Sequence, residues 1–75
     1  MDNLTELRLA GKTLHLGDYV VVHYRTGGGG VRGNITRLWS VEHGDTVDQA
    51  QVNNGWCFHD WDYIYEHREA NREAS

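Results

Sequence analysis

Alternating apolar and polar residues dominate the chain and predict β-strands, whose side chains point to opposite faces in turn. The pattern is clearest in residues 19–25, where Val20, Val22 and Tyr24 are expected to face a core. Glycine and asparagine mark turns between shorter segments of the same kind. The expected strands are residues 5–9, with an extended continuation at 13–16, then 19–25, 31–41, 49–52, 56–58 and 63–65.

Residues 31–41 form the longest expected strand. Its alternation assigns Ile35, Trp39 and Val41 to the inward face. Gly33 interrupts the strand and predicts a bulge or a sharp bend at that position.

Three segments predict turns. Residues 27–30 are consecutive glycines, which lose too much chain entropy inside a strand and therefore predict a flexible hairpin loop. Asn53-Asn54-Gly55 indicates a tight hairpin, because Asn and Gly tolerate a positive φ. Residues 59–62 show no clear period and suit one turn of 3₁₀ helix.

Together these elements predict an all-β fold, a single small barrel of five to six antiparallel strands with a short 3₁₀ turn before the last strand. Phe58 and Ile64 are the first candidates for its core. We expect one unit without an internal repeat over residues 1–66, followed by a charged C-terminal tail at 67–75.

Three stretches resemble bacterial SH3-like barrels of the KOW type. They are Gly17-Asp18-Tyr19-Val20-Val21, Val31-Arg32-Gly33-Asn34-Ile35 and the run Trp56-Cys57-Phe58-His59-Asp60-Trp61-Asp62-Tyr63-Ile64. The resemblance covers roughly residues 14–66 and implies an SH3-like barrel. Such barrels host many unrelated functions, so function is sought in the side chains that the barrel displays.

Composition narrows the class of protein. The chain has 75 residues, one cysteine and no proline, which indicates one small domain without a disulfide framework. A chain of this kind suits a reducing cytoplasm, and we expect a cytoplasmic protein. Its first residues lack the basic and apolar regions of a secretory signal, and no stretch has the roughly 20 apolar residues of a membrane span. We therefore expect no membrane association.

Charge is distributed unevenly around the net value of −4. Residues 1–41 carry five basic and three acidic side chains, whereas residues 42–75 carry two basic and eight acidic ones. The acidic part also holds most of the aromatic residues, a combination typical of hot spots for a protein partner with a basic surface. The expected partner-binding residues are Asp45, Asp48, Trp56, Asp60, Trp61 and Asp62.

We therefore expect a non-catalytic binding protein, a monomer or a homodimer. Its size and acidity are similar to those of the accessory proteins of phages and mobile elements, including DNA mimics and anti-CRISPR inhibitors. The alternative is a nucleic-acid-binding or ribosome-associated KOW-like module. In that hypothesis the glycine-rich loop and three flanking cations would follow a phosphate backbone, the cations being Arg25, Arg32 and Arg37.

The sequence contains few candidates for catalytic residues or metal ligands. Cys57 and His59 share a strand face, but zinc needs three or four ligands at a fixed geometry, so we expect no metal, no cofactor and no catalytic residue. A second alternative comes from Gly17-Asp18, residues 30–35 and Trp39, which resemble the plasmid-borne type II dihydrofolate reductase. That resemblance implies an oligomeric reductase whose pore is lined by a Val-Gln-Ile-Tyr stretch. The corresponding residues 56–59 lack its Gln and Tyr.

Overall fold

The computed structural model describes residues 4–44 and 46–70, apart from the side chain of His43. These residues form seven strands, because the expected continuation at 13–16 is a strand of its own. A 3₁₀ helix at Val41–His43 lies between the fourth and fifth strands. The strands are β1 (Glu6–Leu9), β2 (Lys12–His15), β3 (Tyr19–His23), β4 (Gly30–Trp39), β5 (Gln49–Val52), β6 (Cys57–His59) and β7 (Tyr63–Arg68).

The strands form two antiparallel sheets. β1 and β2 make a hairpin, and the other five follow the order β6-β5-β4-β3-β7. No pairing joins the edge strands β6 and β7 within the described residues, so the sheet is open and not a closed barrel. The prediction of a single small all-β domain is confirmed. The same residues contain no helix with the length and apolar character needed to cross a membrane.

A single apolar cluster forms the core, and each of its members is at most 3% exposed. The inward face predicted for β3 is correct: Val20 and Val22 are buried, and Tyr24 packs against the cluster. Phe58 is fully buried as expected, whereas Ile64 lies at the margin and is only partly buried. The cluster consists of Leu9, Leu14, Val20, Val22, Ile35, Leu38, Ala50, Val52 and Phe58.

A bulge in β4 corrects the predicted inward set of that strand. Ile35 pairs with Val52 and Arg37 pairs with Gln51, so Thr36 has no residue opposite it on β5. The extra residue reverses the alternation beyond it. Leu38 therefore turns inward, and Trp39 turns to the outer face.

Val41, the third residue of the predicted inward set, is also not in the core. It is 55% exposed at the start of the 3₁₀ helix. The expected bulge at Gly33 is wrong as well, because the pairing with β3 runs through Gly33 without a shift. Glycine is needed there for another reason: φ is +143°, and a Cβ would overlap the side-chain amide of Asn53.

The segment before β7 is a hydrogen-bonded turn, closed by the Asp62 N–H donating to the His59 carbonyl at 3.1 Å. Within the described residues, the 3₁₀ helix is at Val41–His43. β7 continues to Arg68, two residues past the expected end of the barrel at 66. Residues 71–75 of the predicted tail lie outside the described residues.

Candidate functional site

The same sequence motif starts in the turn before β3 and in the turn before β7, and continues into each strand. Residues 15–23 and 59–67 share the pattern His-x-x-Asp-Tyr-x-x-x-His, at a spacing of 44 residues. The four shared residues make a short motif that occurs twice within the single unit. We call the segments 15–18 and 59–62 the first and second turn.

The same hydrogen bonds hold both turns. In the first, the His15 N–H donates to Asp18 Oδ2 at 2.9 Å, and the Asp18 N–H donates to the His15 carbonyl at 3.1 Å. In the second, the His59 N–H donates to Asp62 Oδ2 at 2.8 Å, and the Asp62 N–H donates to the His59 carbonyl at 3.1 Å. Each aspartate side chain thus accepts the backbone N–H of the histidine three residues before it, a local side-chain-to-backbone hydrogen bond.

Each aspartate also accepts a backbone N–H from a residue just beyond the end of the other strand. Asp18 Oδ1 accepts the Ala70 N–H at 2.8 Å, and Asp62 Oδ1 accepts the Arg25 N–H at 3.0 Å. The antiparallel register explains this exchange, because it brings the start of β3 to the end of β7 and the reverse. The two carboxylates therefore fasten β3 to β7 at both ends.

Asp62 was expected to bind a partner, and the structure places it elsewhere. The residue is only 6% exposed, and both of its carboxylate oxygens accept backbone N–H groups. Burial raises the pKa of the neighbouring Tyr24, and the charge of Asp62 raises it further. Asp62 thus has a structural role in joining the turn to the end of β3.

The two turns differ at their middle positions. The first has Leu16, which packs against the core, and Gly17, whose φ is +91°. The second has Asp60 and Trp61, both exposed. Because the first turn forms the same hydrogen bonds without an acid or an indole, those bonds do not require Asp60 or Trp61.

The side chains of Asp60 and Trp61 are both held in place. Asp60 Oδ1 accepts the Ala10 N–H at 2.8 Å. Trp61 stacks on the His59 ring, with ring centroids 4.5 Å apart and an interplanar angle of 4°. Trp61 nevertheless remains 47% exposed. An acid and a tryptophan are therefore presented together on a fixed turn.

The other expected partner-binding residues are spread around this turn. Trp56 is 77% exposed at the opposite end of β6, about 10 Å from the turn by strand rise. Asp48 is half-buried and accepts the Val41 N–H at 2.8 Å, so part of its role is structural. Asp45 lies outside the described residues.

The three arginines of the alternative hypothesis lie at separate positions, one after β3 and two along β4. Arg32 faces outward from β4 opposite Val21, beside a shallow depression at the β3–β4 hairpin. Arg25 lies in the loop after β3 and is exposed, and its backbone is bound to Asp62. Arg37 lies past the bulge, over the Trp39 ring at 4.9 Å from the centroid.

Sequence reasoning missed an outer row of side chains on the other half of the sheet. Trp39 pairs with Gln49, and Gln49 pairs with His59, so the three share one face. Trp61 extends this row through its stack on His59. The missing signal was the bulge at Thr36, without which Trp39 would point into the core.

Cys57 has the features of an unreactive thiol. It is half-buried, and burial raises its pKa, so the less nucleophilic thiol form predominates at neutral pH. Within residues 4–44 and 46–70, no group of three or more His, Cys, Asp or Glu side chains is placed to hold a metal ion.

Comparison of the chain with protein-family models, curated proteins and solved structures gives no match.

Proposed function

We propose that this protein is a non-catalytic binding module built on an SH3-like barrel. The way β4 is shared supports the SH3-like assignment: its first half pairs with β3 and its second half with β5, with the bulge between them. One long bent strand that serves two halves of a small β-sheet is what a partly open barrel requires. The function itself rests on the side chains displayed at the second turn.

The partner-binding surface is centred on Asp60 and Trp61, with Trp56 at its periphery. The observation that carries this proposal is the exposure of Trp61 on a turn whose matched copy forms the same bonds with Leu16 and Gly17. Tryptophan is the residue most enriched in binding hot spots, and a rigid anchor loses little entropy on binding.

The partner in this proposal is a protein with a basic surface. Between Glu42 and Glu66 the chain has six acids and no lysine or arginine, so this part of the molecule attracts cations. A small acidic protein that occupies a basic groove would act as an inhibitor of the phage or mobile-element type. Asp60 contributes to this attraction, whereas Asp62 is engaged inside the fold.

The test is partner capture by the immobilised protein from a lysate of its native host. We expect Trp61→Ala to lose at least about tenfold in captured partner, since a hot-spot truncation removes 2 kcal/mol or more. Tyr65→Ala is the matched control, because Tyr65 is 70% exposed and lies outside the second turn. Equal capture by the wild type and Trp61→Ala would contradict the proposal.

The same experiment separates the nucleic-acid alternative. Nuclease treatment and neutralisation of Arg25, Arg32 and Arg37 should leave capture unchanged if the second turn binds the partner. If capture instead requires those arginines and disappears with nuclease, the alternative is correct and the second turn is not the site.

A further inference from the structure

We propose that the second turn binds an arginine side chain of the partner. This proposal rests on the proposed function and specifies its ligand. Trp61 would stack on the guanidinium plane, and Asp60 would accept its N–H groups. This assigns a ligand chemistry to the site: a planar cation that offers hydrogen bonds in its own plane.

The state of the indole supports this assignment. His59 covers one face of Trp61 in a parallel stack and fixes the orientation of the ring. The residue is still 47% exposed, so part of its side chain can be reached by a cation from outside. A cation over an indole is attracted by the negative face of the ring, and tryptophan is the best aromatic residue for this contact.

The carboxylate of Asp60 complements the indole. The Ala10 N–H holds Oδ1, while Oδ2 has no hydrogen bond or ion pair to the described residues. Asp62, two residues later, is buried and accepts a backbone N–H at each carboxylate oxygen. Asp60 is therefore the carboxylate of this turn that can pair with a ligand.

The molecule contains its own example of such a site. Arg68 lies over the Tyr19 ring at 4.4 Å from the centroid, and its Nε donates to Glu66 at 2.8 Å. An aromatic face and a carboxylate together hold this guanidinium on the outer face of β3 and β7. The second turn offers the same two components, and no arginine or lysine of the described residues forms an ion pair with Asp60.

Arginine suits this pair of groups better than lysine does. The guanidinium is flat, so it can lie on a ring while its edge donates to a carboxylate, whereas an ammonium group is a compact point charge. The site should therefore discriminate between the two cations and not merely respond to positive charge.

The test is an NMR titration of the ¹⁵N-labelled full chain with blocked tripeptides, acetyl-Gly-Arg-Gly-amide against its lysine and citrulline counterparts. We expect the arginine peptide to shift the Trp61 indole N–H and the Asp60 amide, with a dissociation constant on the order of millimolar. Binding of the lysine peptide should be about threefold to fivefold weaker, and citrulline, which lacks the charge, should give no saturable shift. Asp60→Asn and Trp61→Ala should each remove the arginine preference while their spectra stay folded.

Three outcomes would overturn the inference: equal shifts with arginine and lysine, shifts centred on Trp56 or Tyr65, or no shift of Trp61 at all. If partner capture still depends on Trp61 under any of these outcomes, the arginine assignment fails and the binding function stands. If capture is also independent of Trp61, both fail.

Discussion

The two turns that begin β3 and β7 show how one local structure serves two purposes. Both place an aspartate against the backbone of a histidine three residues earlier, with hydrogen bonds that agree within 0.1 Å. In the first turn the middle positions are a core leucine and a glycine, whereas in the second they are an acid and an exposed indole. The shared hydrogen bonds close both turns, although Gly17 has a φ of +91° and Trp61 does not have a positive φ. The middle positions decide whether the turn only supports the fold or also displays a surface.

The two strands that follow these turns also differ. Pairing between β3 and β7 shifts after Val21, which leaves Tyr65 as an extra residue in β7. Because a bulge reverses the alternation, the last histidine of each motif copy points to a different face. His23 is exposed and stacks on Tyr65 at 4.2 Å, while His67 turns inward and its Nε2 lies 2.8 Å from Asp18 Oδ2.

Removal of the two turn aspartates should give the largest losses of stability, and the loss at Asp18 should exceed the loss at Asp62. Asp18 is fully buried and has a side-chain partner in His67 besides two backbone donors. We expect Asp18→Ala to lower the free energy of unfolding by about 3–5 kcal/mol, and Asp62→Ala by about 2–3 kcal/mol. Urea unfolding followed by circular dichroism measures both.

Asp18→Asn provides the fallback if Asp18→Ala does not fold, since the amide oxygen can keep one of the backbone bonds. Equal losses at the two positions would show that His67 adds nothing to the first turn, and a larger loss at Asp62 would reverse the expected ranking.

The last histidines of the two motif copies, His67 and His23, should contribute differently to the free energy of unfolding. We expect His67→Ala to cost about 1–2 kcal/mol of unfolding free energy, because Asp18 loses a charge-assisted partner. His23→Ala should stay within about 0.5 kcal/mol, as for other surface substitutions. The same urea experiment compares the two variants, and similar losses would mean that the bulge does not distinguish the strands.

Substitution of Tyr24, beside the second turn, should have a smaller effect on stability, and of opposite sign. Its hydroxyl is buried and has no hydrogen-bond partner among the described residues, so Tyr24→Phe should raise the free energy of unfolding by up to about 1 kcal/mol. Burial, then the charges of Asp62 and Cys57, raise the pKa of Tyr24 in the folded state. The folded protein therefore binds this proton more tightly than the unfolded chain does, and stability is lost as pH rises above about 10.

Urea unfolding at neutral pH and at about pH 10.5 checks both parts. The loss of stability between these pH values should be smaller in Tyr24→Phe than in the wild type. An unchanged loss would assign the alkaline effect to other groups, among them Cys57, whose pKa burial also raises.

A small stability effect is also expected at the middle of the second turn. Trp61→Ala should change the free energy of unfolding by no more than about 1 kcal/mol, the contribution of an exposed aromatic stack. Its partner capture should nevertheless fall at least tenfold, as proposed above. A loss of stability above 2 kcal/mol would mean that Trp61 is a structural residue like Asp62.

Much of the sheet could be predicted from local patterns. The β-branched alternation of β3 gave the correct inward face, and Asn53 and Asn54 do adopt positive φ, 52° and 58°, in the β5–β6 hairpin. These features depend on neighbours in sequence, which is why the sequence alone reveals them.

The misses come from interactions that are distant in sequence. Nothing about Thr36 marks a bulge, since threonine is an ordinary strand residue, yet its position sends Trp39 outward. Asp62 was placed at the surface because isolated acids are usually exposed, and its donor Arg25 lies 37 residues away. The repeated motif was the one sequence signal that could have linked Asp62 to Asp18.

The pairing of β3 with β7 also has a consequence for the time course of folding. It joins residues that are 40 (His23 and Tyr63) to 49 (Tyr19 and Arg68) positions apart, whereas β3–β4, β4–β5 and β5–β6 are pairings of consecutive strands. Closing a long loop is entropically the slowest kind of contact, so we expect these consecutive pairs to form first and β7 to dock last. The second turn acquires its Arg25 contact only in that final step. A chain interrupted before then would lack this contact, so we expect the proposed binding surface to form together with the completed fold.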